Sequence, residues 1–318
     1  MALTFASRPG ADGAARAYRL RFGRKRDLAG LSPVLARSGA LEARLAVTAK
    51  EVRRAQKLRY RVFFEEGGAI PDQAALITRR DVCRFDRVCD HLVVVDNDRR
   101  ARDGSPKFVG VYRLLRQDVA EHNFGFYSAG EFDVGALIAR RPTTRFLELG
   151  RACIASTHRG KRVLELLWRG VWAYARHHRV DALIGCASLP GVEAEAHATA
   201  IRLLSESGGN PAWRVSARPE LVRSCDSVVS GAAPAADARS LLRGLPPLVK
   251  GYWRLGATFS PDPVVDRAFG TTDLFVVLPL SDIEGRYLDH FGVEAVEPPL
   301  AAYGAFEGRG IPFRAEFG

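Results

Sequence analysis

Two charged side chains, Glu148 and Arg151, interrupt an apolar run that has the composition of a buried strand, residues 145–154. A charge inside a buried strand is costly unless it is paired with another group or takes part in chemistry. A carboxylate in this position can accept a proton, so Glu148 is a candidate general base. A structural ion pair with other strand charges is an equally good interpretation of the spacing alone.

Gly150 lies between these two charges. Strict alternation along a strand would place Glu148 and Arg151 on opposite faces of the sheet. A β-bulge at Gly150 would add one residue to this strand and turn both side chains toward the same cleft. A bulge would also free a backbone N–H, which is a suitable donor to the oxyanion of an acyl transfer. We therefore predict a bulge at this glycine.

A basic turn follows the strand directly and consists of Arg159, Gly160, Lys161 and Arg162. The N–H groups and dipole at the start of a helix, together with cations, bind phosphate well. We predict that this turn binds a phosphate group, although an ordinary basic helix start would show the same pattern. An acid/base residue beside a phosphate-binding helix start is what an acyl-CoA or acyl-carrier transferase needs.

Three further charges lie in or beside predicted strands. Arg113 interrupts the apolar strand of residues 108–115 and is a possible partner for Glu148 or for a substrate carboxylate. Asp86 and Asp90 precede another strand and could bind a cationic substrate. Capping of a turn is the more common role of aspartates in such a position.

Hydrophobic periodicity predicts the elements that must position these residues. The predicted helices cover residues 51–64, 161–179, 194–207 and 281–291, and the predicted strands cover residues 41–47, 91–95, 108–115, 145–154, 180–188, 251–259 and 274–278. This order is typical of an α/β fold with an antiparallel first half and a βαβ unit in the middle.

The chain of 318 residues carries a formal net charge of +11, which indicates an anionic partner. Much of the excess lies in residues 1–40, which lack clear periodicity and are predicted to form a flexible basic arm. Such an arm either holds a protein near anionic lipid or is a solvated tail. No stripe of interleaved aromatic and basic residues is present, which argues against nucleic-acid binding.

The five cysteines show no CxxC spacing, which argues against a disulfide framework and a zinc site. We therefore predict no metal and no bound cofactor. The sequence has neither an apolar run long enough to span a membrane nor a secretory signal. These observations predict a cytoplasmic protein, with peripheral contact to the inner face of the membrane as one role of the basic arm.

Several motifs occur in order between about residues 45 and 295; they include RYRVF at 59–63, VGVYRLL at 109–115, ELGR at 148–151, GCAS at 185–188 and LPPLVKGY at 245–252. These motifs resemble the ornithine N-acyltransferases of ornithine-lipid synthesis, which are similar to GNAT acyltransferases and to acyl-homoserine-lactone synthases. The resemblance implies a GNAT-like domain over residues 41–295, with a central mixed, mostly antiparallel sheet, flanking helices and a C-terminal extension. Residues 296–318 would form a tail.

The resemblance implies transfer of a 3-hydroxyacyl chain from acyl carrier protein to the α-amine of L-ornithine, giving lyso-ornithine lipid. The usual GNAT pyrophosphate motif has two spaced glycines, whereas this turn retains only Gly160. That difference favours carrier protein, whose phosphopantetheine has a single phosphate, over acyl-CoA, and this turn would bind that phosphate. An acidic carrier protein also suits a basic surface. Two alternatives stay open: another acceptor such as lysine, glutamine or glycine, and a lipid-surface binding protein without catalysis.

The family pattern also assigns roles to individual residues. The substrate-binding set would comprise Arg61, Phe63, Asp86, Asp90 and Arg113. Asp86 and Asp90 would bind the amino groups of ornithine, and Arg113 or Arg151 would bind its carboxylate. The catalytic set would comprise Glu148, Gly150 and Arg151. The glutamate would take the amine proton, directly or through a water, and a strand N–H near the glycine would hold the oxyanion.

Overall fold

The computed structural model describes residues 28–222 and 238–283. Most of the predicted basic arm, the predicted tail of residues 296–318 and most of the predicted helix over residues 281–291 lie outside these ranges. The candidate site residues all lie within them.

A single mixed sheet forms the centre of the described chain. Its strands are β1 (Ala36–Ser38), β2 (Leu41–Leu45), β3 (Asp90–Arg100), β4 (Pro106–Arg116), β5 (Phe146–Ile154), β6 (Ala182–Pro190), β7 (Thr258–Phe259), β8 (Val264–Asp266) and β9 (Thr271–Pro279). Their spatial order is β1-β2-β3-β4-β5-β6-β9-β7, with β8 also paired to β9. Only β5 and β6 are parallel among these described pairs. The mixed, mostly antiparallel sheet is thus confirmed, and it begins a few residues before the predicted start at residue 41.

Helices flank this sheet. They are α1 (Ala49–Tyr60), α2 (Gln73–Thr78), α3 (Gln117–Glu121), α4 (Val134–Arg140), α5 (Lys161–His177), α6 (Ala198–Ser207), α7 (Ala238–Gly244) and α8 (Pro247–Arg254). Helix α1 begins with a reciprocal capping box formed by Thr48 and Glu51. It continues directly into a π-helical turn, Arg61–Glu66, a rare conformation that is often found at functional sites.

Helix α5 connects the parallel strands β5 and β6 and packs closely on the sheet. Two glycines allow this close approach. A Cβ atom added at Gly170 of the helix would lie 2.7 Å from Leu92 Cδ1, and one added at Gly110 of β4 would lie 2.9 Å from Val163 Cγ1. Larger residues at either glycine would push the helix away from the sheet and would displace its N-terminus from the end of β5.

The sequence-based elements are largely confirmed, with one clear exception. The predicted strand over residues 251–259 is wrong in its first part, because α8 extends to Arg254 and only Thr258–Phe259 is a strand. Pro247 at the first helical position and the buried residues Val249 and Tyr252, three apart, fit a helix rather than an alternating strand. In the described ranges, no helix has both the length and the apolar character that crossing a membrane requires.

Candidate functional site

The parallel strands β5 and β6 separate partway along their length. They are paired from Phe146 and Ala182 as far as Leu149 and Gly185, after which each continues only with its other neighbour. A cleft of about 410 Å³ lies where the strands separate. Five residues that the sequence singled out line this cleft: Phe63, Arg113, Glu148, Gly150 and Arg151.

Strand β5 carries a bulge at the mouth of this separation. The register with β4 shifts between Val111 and Arg113, where Arg151 and Ala152 of β5 face a single residue of β4. Arg151 has a φ of 55°, which is uncommon for a residue with a side chain. The predicted bulge is therefore confirmed, but it lies at Arg151 and Ala152, one residue after Gly150. As expected, it brings the glutamate and the arginine of this strand to the same cleft.

The Glu148 carboxylate is almost fully buried, with 4% of the residue exposed. Its Oε2 accepts a hydrogen bond from the Tyr127 N–H at 2.8 Å, and its Oε1 accepts from the Ser128 N–H at 2.8 Å and the Ser128 hydroxyl at 2.5 Å. A carboxylate offers about four acceptor positions. The glutamate therefore holds the loop between α3 and α4 in place and retains one position for an amine or a water.

A network of buried ion pairs lies beside the cleft. Arg59, which is 0% exposed, donates to Asp81 at 2.7 Å and to Asp86 at 2.8 Å. Arg113 lies 3.6 Å from Asp86, and Arg151 lies 3.4 Å from Asp81. Burial opposes ionisation of Asp86, but the Arg59 guanidinium outweighs it and holds the pKa of this carboxyl well below its usual range. The carboxylates of this network are thus compensated by arginines.

Three of the predicted substrate ligands do not line the cleft. Arg61 is exposed on the π-helical turn, and Asp86 is buried in the ion-pair network. Asp90 accepts a hydrogen bond from the Tyr174 hydroxyl at 2.6 Å. Their direct binding of substrate stays a prediction, and the contacts of Asp86 suit a residue that positions the arginines.

Sequence reasoning selected Arg61 and overlooked Arg59, which is the arginine that faces the interior. The available signal was helical spacing, because Arg59 follows Ala55 by four residues and therefore shares the buried face of α1. Phe63 lines the cleft and stacks edge-on against Phe269, with 5.7 Å between the ring centroids. Arg151 lies over the same Phe269 ring at 4.3 Å. These contacts order one wall of the cleft.

A cluster of acidic side chains, which the sequence did not predict, lies at the β6–β9 side of the cleft. Glu131, Cys186 and Asp273 offer ligand atoms within 4.8 Å of one another. Burial, together with the negative charges of Asp273 and Asp266, raises the pKa of Glu131 to about 7. Burial also raises the pKa of the Cys186 thiol well above its usual value. Since zinc binds the thiolate form, a thiol with a raised pKa suits zinc poorly.

The predicted phosphate-binding turn begins α5. Gly160 is the N-cap residue, and none of the described side chains caps this helix end. Lys161 and Arg162 are exposed, whereas Arg159 forms an ion pair with Glu66 of the π-helical turn. The open N–H groups and exposed cations fit an anion site, and binding of phosphopantetheine there stays a prediction.

The fold and the cleft together define an acyltransferase of the GNAT class. The Acetyltransferase (GNAT) domain family matches residues 58–169, which run from the end of α1 to the middle of α5. The crystal structure of the AHL synthase LasI matches 81% of this chain and 98% of that chain, with 12% identity and a TM-score of 0.41.

Two relatives are considerably more similar in sequence. The L-ornithine N(alpha)-acyltransferase of Agrobacterium fabrum is 50% identical over 260 residues, which cover 81% of this chain and 87% of the relative. The protein of the same name from Rhizobium meliloti is 48% identical over 273 residues, covering 86% and 91%. The chain therefore belongs to the L-ornithine N(alpha)-acyltransferase family, and it is an amino-acid N-acyltransferase.

Proposed function

We propose that this protein transfers a 3-hydroxyacyl chain from acyl carrier protein to the α-amino group of L-ornithine, giving lyso-ornithine lipid. The cleft between β5 and β6 carries this proposal, because it is lined on one wall by Glu148 and by the bulge at Arg151. The names of the relatives support ornithine as the acceptor.

The reaction is aminolysis of a thioester. The neutral α-amine attacks the carbonyl carbon, and the C–N bond forms while the oxygen becomes an oxyanion. The C–S bond then breaks, and the carrier sulfur leaves with its electron pair as a thiolate, which takes up the proton removed from the amine. Glu148 has one acceptor position left, through which it would take the amine proton directly or by way of a water. An N–H of the bulge after Gly150 would donate to the oxyanion.

Arg151 is the best candidate for binding the substrate carboxylate. Its guanidinium stacks on Phe269 at 4.3 Å and on Tyr127 at 4.8 Å, and its Nε lies 3.4 Å from Asp81 without a hydrogen bond to it. Arg113 also lines the cleft, but it is 3% exposed and donates to Cys83 at 2.8 Å. We therefore assign the carboxylate to Arg151, with Arg113 as a support for the wall.

Carrier protein is the proposed donor rather than acyl-CoA. A single glycine, Gly160, opens the turn before α5, and Lys161 and Arg162 are exposed beside it. This arrangement suits the one phosphate of a phosphopantetheine arm. The formal net charge of +11 suits an acidic carrier protein.

Mass spectrometry of the products tests acceptor, donor and bond together. The purified protein is given 3-hydroxyacyl carrier protein and an equimolar mixture of ornithine, lysine, glutamine and glycine, and a parallel reaction contains the same acyl group on CoA. We expect N-acyl-ornithine, formed faster from carrier protein. Acylation of another amino acid would contradict the acceptor, and faster transfer from CoA would contradict the donor.

A further inference from the structure

Asp273 of β9 carries an unpartnered polar atom into the cleft. The residue lines the cleft and is 6% exposed, and its Oδ1 has no hydrogen-bond partner among the described residues. The buried Oγ1 atom of Thr271, two residues earlier on the same strand, also lacks one. Residues two apart on a strand share a face, so both atoms belong to one cleft wall. Buried polar atoms normally have partners, so Oδ1 of Asp273 is an acceptor in this wall that a ligand could fill.

The surroundings of Asp273 are acidic. Asp266 on the neighbouring strand β8 also lines the cleft, and a Glu131 carboxylate oxygen lies within 4.8 Å of a ligand atom of Asp273. Burial and the Asp266 charge raise the pKa of Asp273, although the nearby hydroxyls of Ser188 and Thr271 partly offset them. The Arg151 guanidinium acts against this rise, but it is the smallest of these influences. A cationic ligand would compensate this cluster.

We propose that Asp273, together with Asp266 and Glu131, binds the protonated side-chain amine of the acceptor amino acid. This inference rests on the proposed function, because it assumes that ornithine is the acceptor and that its two ends bind to opposite walls of the cleft. The α-amine and carboxylate lie at Glu148 and Arg151 on the β5 wall, and the side chain extends to β8 and β9. The subsite selects acceptors that carry a second, charged amine.

An ammonium group fits this subsite better than a metal ion does. It has three N–H donors, one of which matches the carboxylate oxygen of Asp273 that lacks a partner. The neighbouring Cys186 thiol hydrogen-bonds to Glu131 at 3.5 Å and remains protonated because burial raises its pKa. A zinc ion would require the thiolate form instead.

Selectivity between L-ornithine and L-norvaline tests this subsite, because norvaline has the same carbon chain without the side-chain amine. The ratio of the two kcat/KM values does not depend on the fraction of protein that is folded. We expect Asp273→Asn to lower the ornithine-to-norvaline ratio roughly 10- to 100-fold, the range for losing one charged hydrogen bond. Asp118→Asn, a change at an exposed ion pair outside the cleft, should leave the ratio unchanged. An unchanged ratio in Asp273→Asn would overturn the subsite.

Calorimetric binding of the free amino acids separates this inference from the proposed function. Ornithine binding that weakens in Asp273→Asn supports the subsite even where no acyl product forms. An N-acyl-ornithine product with unaltered selectivity overturns the subsite and leaves the proposed function standing. Zinc bound one-to-one by the unaltered protein and lost in Asp273→Asn would also overturn it, because the cluster would then be a metal site.

Discussion

Two groups of buried carboxylates lie on either side of the cleft, and they are in opposite electrostatic states. In the ion-pair network, Arg59 neutralises Asp81 and Asp86, and the pKa of Asp86 is well below its usual range. In the acidic cluster, burial raises the pKa of Glu131 to about 7 and raises that of Asp273. A buried carboxylate that is paired with an arginine is part of the scaffold, whereas a buried carboxylate without a cationic partner is a candidate for binding a cationic ligand.

Replacing a charged side chain by a neutral one should therefore change the stability of the fold in opposite directions in the two groups. Removing a charge from the network leaves its partner buried and alone, which destabilises the fold. Removing a carboxylate from the cluster relieves repulsion and desolvation, so it should stabilise the fold and weaken the binding of a cation. Four predictions test and extend this difference, beginning with the largest expected effect.

Glu148 lines the cleft and should have the largest effect on the reaction. Glu148→Ala is expected to lower kcat about 10²- to 10⁴-fold, the range for losing a general base. Single-turnover kinetics with a saturating acyl donor measure this loss. Ser128→Ala is the matched control, because it removes one donor to the glutamate and keeps the carboxylate. An equal loss in both variants would mean that Glu148 serves only to hold the loop.

Arg59→Met breaks the compensated network. It leaves Asp81 and Asp86 buried without their main partner, and we expect the free energy of unfolding to fall by about 3–5 kcal/mol. Urea denaturation followed by circular dichroism measures the change. Arg61→Met, two residues along on the exposed turn, should stay within about 0.5 kcal/mol of the unaltered protein. Equal stability of the two variants would contradict the assignment of Arg59 to the interior scaffold.

Glu131→Gln removes one charge from the acidic cluster, and its effect should depend on pH. The folded-state pKa is raised to about 7, so folding retains a proton that the unfolded chain releases at lower pH. The unaltered protein therefore loses stability as pH rises from about 5 to 7, and the glutamine variant avoids this loss. Its stability relative to the unaltered protein should grow with pH, by up to about 3 kcal/mol at pH 8.

Urea denaturation at several values between pH 5 and pH 8 measures this difference. Glu206→Gln, on the exposed end of α6, is the matched control and should show no such trend. If the stability of Glu131→Gln relative to the unaltered protein does not change with pH, the negative charges of the cluster are already balanced by a cation within the protein.

Tyr112 and Tyr252 provide a neutral reference for these charged groups. Their hydroxyls are buried and share a hydrogen bond of 2.6 Å that ties α8 to β4. Tyr252→Phe should cost only about 1 kcal/mol of unfolding free energy, because no charge loses its partner. Thermal denaturation measures this change in unfolding free energy. A decrease as large as that of Arg59→Met would show that buried charged and neutral contacts contribute equally to stability.

The strands and the helix that frame the cleft were largely predictable from the sequence, because their signals are local. Apolar periodicity located β3 to β6 and α5, and Gly150 between two charges indicated the bulge. The ion-pair network was not predictable, since Arg59 and Asp81 were not singled out and Asp86 was assigned to the substrate. The acidic cluster was not predictable in this way. Glu131 lies in a loop, Cys186 on β6, Asp266 on β8 and Asp273 on β9, so only the folded sheet brings them together. No spacing in the chain marks such a group.

Separation of β5 from β6 also leaves an open backbone edge in the middle of the sheet. Both strands continue past their last paired residues, Leu149 and Gly185, so each presents unpaired peptide groups to the cleft. Exposed edges recruit other strands and promote aggregation. Here Pro190 and Pro246, which have no N–H to offer another strand, line the same cleft. This interior edge is therefore a poor place for another polypeptide strand to pair.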